Sequence, residues 1–287
     1  MKPAPFDYER PATLAAVLQL LAGGDRDTKI IAGGQSLVPM MNFRMVRPDR
    51  LVDINRLSEL DYHKIDGAEL AIGALCRHAT LAQSDLVKQT CPLMHAAYEW
   101  VAHGPVRNRG TLCGNLCHAD PASEMPAIVQ AVNAVMVLRS SKGERRVPAG
   151  EFFVGIYETA ARADEMLVEV RIPKAPKGQG WGFHEVSERK GDFAIVAAGA
   201  TMQLSAGNVA AASIVLAGVG SHAVRLGAVE RGLVGKKPDD AALASAAEAA
   251  AAAISPTSDI HGPAEYRRDL ARALVRRSLS DARGRCA

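Results

Sequence analysis

Residues 174–180, KAPKGQG, interrupt the chain with a proline, two lysines and two glycines. This is the composition of a linker, so the sequence on either side must close a core of its own. A chain of 287 residues has material for two or three modest units. The expected division is 1–175, with parts at about 1–55 and 56–175, followed by 176–287. Beyond the break, Trp181–Glu188, Ala194–Leu204 and Ala212–Gly218 read as strands, joined by turns at Lys190-Gly191-Asp192 and Gly207-Asn208. Helices are predicted over Ala223–Val234, Ala241–Ile254 and Ala264–Leu279. In the last, Tyr266, Leu270 and Leu274 are expected to face inward and Arg267, Arg268 and Arg272 to face water. Strands followed by helices give an α+β class, here with a three-stranded antiparallel sheet in the C-terminal unit.

The first unit alternates shorter elements. Thr13 is placed to cap a helix that buries Leu14, Val17, Leu18 and Leu21 and stops at Gly23-Gly24. Lys29–Ala32 follows as a short buried strand, and Leu51–Ile54 as another. Between them Met40, Met41 and Met45 suit a core helix or helical turn. Asp66-Gly67 marks a hairpin. Thr80–Leu86, Pro92–Val101 and Met125–Asn133 read as helices, with Trp100 and His103 as packing residues. Ala134–Arg139 and Leu167–Ile172 read as strands, and the aromatics of Glu151–Tyr157 could pack beside a ring system.

Two stretches carry chemistry. In Ile30–Leu37, IIAGGQSL, a strand delivers two adjacent glycines. Main-chain N–H groups at such a turn can form an anion-binding concavity, and Ser36 adds a hydroxyl donor. A pyrophosphate suits it, though a Gly-Gly pair also serves ordinary turns. In Arg107–Glu124, RNRGTLCGNLCHADPASE, Gly110, Thr111, Gly114 and Asn115 crowd small and polar residues together where a chain could approach a bound group. Asp120, Ser123 and Glu124 follow around the turn at Pro121. Arg107 and Arg109 could meet a phosphate or cap a helix end, and the whole stretch could be an irregular surface loop.

Composition removes several classes. Lys and Arg number 34 against 31 Asp and Glu, a net +3 without a basic block, so nucleic acid is not the expected partner. No apolar run has membrane or signal-peptide character. Five cysteines, at 76, 91, 113, 117 and 286, suit a reduced, cytoplasmic location. Cys113, Cys117 and His118 are too few for a closed metal site, and no C-x-x-C pair exists. Neither glycine stretch gives the G-x-G-x-x-G of a Rossmann enzyme.

Taken together, Ala32-Gly33-Gly34-Gln35-Ser36, continuing into Leu37, and Thr111-Leu112-Cys113-Gly114-Asn115 resemble the A-G-G-x-S and T-I-G-G-N segments that clasp FAD in the flavin-binding subunits of the molybdenum hydroxylases, the carbon monoxide, xanthine and N-heterocycle dehydrogenases. Cys113 departs from the pattern's glycine, so either this position has an ordinary φ or the loop is altered. The resemblance implies that Asp120 faces a sugar portion of FAD and that Leu167, or Met166, lies against the isoalloxazine. Lys190-Gly191-Asp192-Phe193-Ala194 is similar to the family's G-D-Y-A segment, so Phe193 would cover one flavin face without tyrosine's hydroxyl. The likeness runs to the C-terminal DIHGPAEYRRDLARALVRRSL.

It further implies a two-part FAD-binding domain of the vanillyl-alcohol-oxidase/PCMH type. FAD is expected to be held non-covalently, because no histidine or cysteine has a clear attachment context, and no catalytic side chain is expected, because no candidates form a nucleophile–base pair. The molybdenum cofactor and [2Fe–2S] clusters would belong to a large and a small partner subunit. Electrons would leave for an external acceptor, and the assembly would be a dimer of heterotrimers. A stand-alone FAD-dependent oxidoreductase and a non-catalytic nucleotide-binding scaffold are the competing readings.

Overall fold

The computed structural model describes residues 1–24 and 26–287. Thr13 Oγ1 accepts the Ala16 N–H at 3.2 Å and opens the helix Leu14–Ala22, whose Val17, Leu18 and Leu21 are buried. That helix connects two edge strands, Asp7–Glu9 and Thr28–Ile31, which pair in parallel with the central strand Arg50–Asp53. A parallel pair needs such a crossover, and it leaves the end of Thr28–Ile31 free to deliver Gly33-Gly34.

A five-stranded antiparallel sheet follows, in the order His63–Asp66, Glu69–Gly73, Met166–Pro173, Val135–Ser140 and Gly143–Pro148. The expected 80–86 helix is two, His78–Ala82 and Asp85–Thr90, because Ser84 accepts the Val87 N–H and starts a new helix. Pro92 begins a helix that ends at Ala97, short of Val101. Met41 is buried, but Met45 is 69% exposed and belongs to no core. No helix among the described residues is long and apolar enough to cross a membrane.

The C-terminal sheet joins Gly180–Ser187, Ala194–Ser205 and Asn208–Ala217 in antiparallel register, with a fourth two-residue strand, Val224–Arg225, at its edge. This corrects the three-stranded expectation: the predicted 223–234 helix gives up its start to the strand and runs only over Gly227–Leu233. Arg225 explains the difference, for its guanidinium is held by Glu230, Ser213 and the Gln130 carbonyl, which fixes residues 224–225 along the sheet. The helices Asp240–Ala252 and Ala264–Gly284 complete this part.

Alternation along the strand Ala194–Ser205 divides its side chains between two cores. Ala197 joins Phe183, Val215 and Ala217 in the core that contains the helix Glu124–Ala131, whereas Val196, Ala198, Ala200 and Met202 pack beneath the last helices. Covered on both faces, residues 194–202 are all buried, which is why this strand reads as one apolar run.

The assignment of faces on the last helix is reversed at two positions. Arg267 is 6% exposed, and its Nη1 donates to the carbonyls of Ile195 at 2.5 Å and Gly218 at 2.8 Å. Its Nη2 pairs with Asp259 at 2.6 Å. Tyr266 is instead 42% exposed. A periodicity argument treats every arginine as a water-facing charge and has no signal for main-chain carbonyls that end unpaired at a strand terminus.

Candidate functional site

Where the end of Thr28–Ile31 meets the helix Leu112–His118, the chain encloses a cavity of about 1150 Å³. Its wall contains Ala32, Gly33, Gly34, Gln35, Ser36 and Leu37 from the first glycine stretch and Thr111, Gly114, Asn115 and Asp120 from the second. Leu167 and Phe193 complete it from the later sequence, so segments far apart in the chain converge. Met166 lines it as well. Lys190 does not: its ammonium lies 5.5 Å above the Trp100 ring and 4.0 Å from Glu99, outside the wall.

The two glycine stretches pack directly on each other. A β-carbon on Gly33 would lie 2.3 Å from the Arg109 carbonyl oxygen, so only glycine permits the contact. Gly34 has φ +71°, in the left-handed region that other residues enter at a cost. The main-chain N–H groups of Gly33, Gly34, Gln35 and Ser36 find no acceptor among the described residues. Ser36 begins the helix Leu37–Asn42 without its hydroxyl capping it. Consecutive donors of this kind, next to a helix start, suit a bound anion.

Asn55 and Arg77, which sequence reasoning did not single out, fasten the stretches together. Asn55 Nδ2 donates to the Ala32 carbonyl at 2.8 Å, Arg77 Nη2 donates to Asn55 Oδ1 at 2.6 Å, and Arg77 Nη1 donates to the Arg109 carbonyl. Neither residue sits in a recognisable motif, so only the fold brings this chain of bonds into view. Arg107, by contrast, donates to the carbonyls of Val101 and Ala102, which makes it a cap for the preceding turn.

The second stretch is not irregular throughout, for it contains the helix Leu112–His118. Thr111 accepts the Gly114 N–H at 3.1 Å as N-cap, and Ala119 ends the helix at φ +53°. Cys113 lies within it, so its φ is ordinary and its replacement of glycine carries no strain. Asn115 and Ser123 hydrogen-bond each other at 2.9 Å across the turn. Asp120 Oδ1 accepts the Ala122 N–H at 2.9 Å, while Oδ2 lies 3.4 Å from the Tyr157 hydroxyl and 3.8 Å from His118 Nε2. One oxygen therefore caps the turn and the other faces the cavity wall.

Aromatic residues reach the cavity differently from the expectation for 151–157. Phe152 and Phe153 are buried in the core, edge to face at 5.2 Å. Tyr157, with Ile156, is the residue that lines the cavity, stacked on His118 at 4.9 Å and holding φ +56°. A positive φ at a bulky residue needs surrounding contacts to maintain it, and the His118 stack with the Asp120 hydrogen bond supplies them. Burial depresses the His118 imidazole and raises the Tyr157 phenol, so both are neutral near pH 7. His103 is exposed at the cavity rim, where its ring lies against Gly191 and not in the core. Phe193 lines the cavity and is 58% exposed.

The cavity exceeds the roughly 300–1,000 Å³ of a typical small-ligand pocket and suits an extended dinucleotide. It combines a row of free N–H donors at one place with Leu167, Tyr157 and Phe193 at another, which is the donor set a diphosphate joined to a flat ring requires. The residues present therefore fit FAD.

Residues 4–175 match the family described as the FAD binding domain in molybdopterin dehydrogenase, and residues 181–282 match the CO dehydrogenase flavoprotein C-terminal domain. The chain is 42% identical to the 6-hydroxypseudooxynicotine dehydrogenase complex subunit alpha of Paenarthrobacter nicotinovorans, covering 98% of this chain and 96% of that protein. It is 40% identical to the caffeine dehydrogenase subunit beta of a Pseudomonas species, strain CBB1, covering 99% and 97%. Among solved structures it is similar to carbon monoxide dehydrogenase from Hydrogenophaga pseudoflava lacking the Mo-pyranopterin moiety of the molybdenum cofactor, with TM-score 0.97, 38% identity and full coverage of both chains.

Proposed function

This chain belongs to the molybdenum hydroxylase family as its FAD-binding medium subunit, and from that membership we propose that it relays electrons from a partner [2Fe–2S] subunit to an external acceptor. The observation that carries the reading is the junction of Gly33–Ser36 with Thr111–Asn115 over the cavity, with four main-chain N–H groups that have no acceptor among the described residues. FAD would supply the redox chemistry, accepting and returning electrons. The chain's residues have other tasks. N–H groups of residues 33–36 and the Ser36 hydroxyl would hold the diphosphate. Asp120 would accept from a sugar hydroxyl, and Leu167 and Phe193 would bracket the ring. Lys190 lies outside the wall, so no contact with FAD is assigned to it in this reading.

In this reading FAD is non-covalent, and the first unit, 1–175 in its two parts, has the vanillyl-alcohol-oxidase/PCMH architecture, with 176–287 as the C-terminal unit. The separate matches to residues 4–175 and 181–282 support that division. The molybdenum cofactor and [2Fe–2S] clusters reside in partner subunits, and the active unit is a dimer of heterotrimers in the cytoplasm. Substrate choice then belongs to the molybdenum-bearing subunit. Gentle purification followed by metal analysis and subunit masses tests this: molybdenum, iron and two further chains are expected. Full substrate turnover by the isolated flavin-loaded chain would reject it in favour of a stand-alone flavoenzyme.

A further inference from the structure

Two buried carboxyl groups lie near each other where the cavity wall joins the C-terminal sheet, and neither is among the residues assigned above to FAD. Glu124 opens the helix Glu124–Ala131, is 4% exposed and lines the cavity. Glu185 lies on the strand Gly180–Ser187, is 6% exposed, and neither of its carboxyl oxygens has a hydrogen-bond partner.

Register brings them face to face. Side chains two apart on a strand share a face, so Glu185 points to the same side as Phe183. That side is the one the helix covers: a β-carbon at Gly199, the partner of Phe183, would lie 3.4 Å from Ile128 and 3.6 Å from Phe183. At the other end of the same stretch, the Ala194 N–H reaches the Ala122 carbonyl at 3.3 Å. Glu185, paired with Ala197, lies between these two points, opposite the first turn of the helix where Glu124 stands. The other ionisable groups facing Glu124 are Asp120 and Tyr98, while Ser187 is the polar neighbour of Glu185. His184, on the opposite face, pairs with Asp281. No cation is among the groups acting on either carboxyl.

An unpaired carboxylate in such surroundings is costly, and two together cannot both ionise cheaply. Burial lifts Glu124, and burial with the Glu124 charge lifts Glu185, well above the ordinary carboxylate range. The acid form is therefore populated near neutrality.

We propose that Glu124 and Glu185 form a proton store on the cavity wall, taking up a proton from water when the cavity gains negative charge and returning it when that charge leaves. The proposal rests on the reading of the cavity as the FAD site. FAD held in this cavity would gain negative charge on reduction, and that charge would act on Glu124 through the wall. One O–H bond forms on a carboxylate oxygen, with the proton taken from solvent. The external acceptor removes the electrons, and the proton returns to water. No bond to carbon changes, and the carboxyls themselves are neither oxidised nor reduced. By linkage, a proton held there favours the reduced state by the same amount that reduction favours the proton.

The test uses the assembled, flavin-loaded complex. Reduced-minus-oxidised infrared spectra in H₂O and D₂O are expected to contain a protonated-carboxyl stretch that grows on reduction, shifts in D₂O and is lost in Glu124→Gln. The potential of the bound flavin is expected to fall more steeply with pH in the wild type than in that variant. The added slope approaches about 30 mV per pH unit, the two-electron equivalent of a tenfold change in proton activity. Flavin-loaded complex with no carboxyl signal and identical slopes overturns the proton store and leaves the FAD assignment intact. Complex without flavin overturns the FAD assignment itself. Where Glu124→Gln does not assemble, Glu185→Gln is expected to shift the carboxyl stretch of the remaining Glu124 without abolishing it, and the wild-type infrared difference decides without either variant.

Discussion

Gly33 lies against the carbonyl of Arg109 so closely that a β-carbon would fall 2.3 Å from the oxygen. The two glycine stretches are thus one object, and each holds the other's conformation. Gly33→Ala should force the stretches apart and sharply lower flavin occupancy, measured as the flavin-to-protein absorbance ratio of purified complex. Gly34→Val adds a β-branched side chain at φ +71°, with a strain of at least about 1–2 kcal/mol. It should be similarly depleted. Full occupancy in both variants would mean that the diphosphate lies elsewhere.

Precipitation with trichloroacetic acid should release all yellow colour to the supernatant. The expectation follows from binding by N–H groups and ring contacts, which do not survive unfolding. Colour in the pellet would instead indicate a covalent link, and Cys117 and His118, both on the wall, are the first residues to examine by peptide mass.

Asp120 has two tasks, so its substitution should have two separable effects. Asp120→Ala loses the turn bond to the Ala122 N–H, about 0.5–1.5 kcal/mol, in apo and holo protein alike. It should also weaken FAD binding severalfold. Equal thermal destabilisation of both forms with unchanged FAD affinity would leave Asp120 as a turn residue only.

Stability should fall on the alkaline side because of the buried carboxyls. Glu124 is pushed up to about 7 and Glu185 to about 9, from an ordinary 4.5, so the folded chain binds more protons than the unfolded chain over that interval. The stabilisation is full below pH 4.5 and is lost as pH rises through about 7 and then about 9. Glu185→Gln should flatten this decline in urea titrations from acidic to alkaline pH. Because His78 and His118 are depressed by burial and act in the opposite sense over part of this interval, the difference between wild type and variant is the readout, and identical pH dependences would contradict the assignment.

Arg267→Ala leaves the carbonyls of Ile195 and Gly218 without their donor, at about 1–3 kcal/mol each. Because Arg267 also lines the cavity and anchors Asp259, flavin retention should drop with stability. Lysine, which lacks the fork that spans these acceptors, should rescue little. Recovery of full stability by Arg267→Lys would show that charge alone is needed.

The sequence was most informative where local rules act alone. Thr13, the Asp66-Gly67 hairpin and the paired glycine stretches each carry their geometry in a few adjacent residues, and all but Lys190 of the expected wall residues meet at one cavity. What escaped was settled by distant partners. Arg267 is buried because strand-end carbonyls need it, Asn55 and Arg77 matter because they bridge two loops, and Val224–Arg225 is a strand because Arg225 reaches Glu230 and Gln130. A periodic pattern describes a face, whereas a guanidinium's destination depends on which carbonyls the fold leaves over.

The strand Ala194–Ser205 contributes alternate side chains to two cores. Neither core can melt without stripping one side of that strand, so the chain should lose its structure in a single transition despite its flexible-looking break at 174–180. Amide protons of residues 196–202 would then exchange only through that global event, at one common free energy of opening, and the distance from the cavity to the last helices could not drift while the protein stays folded.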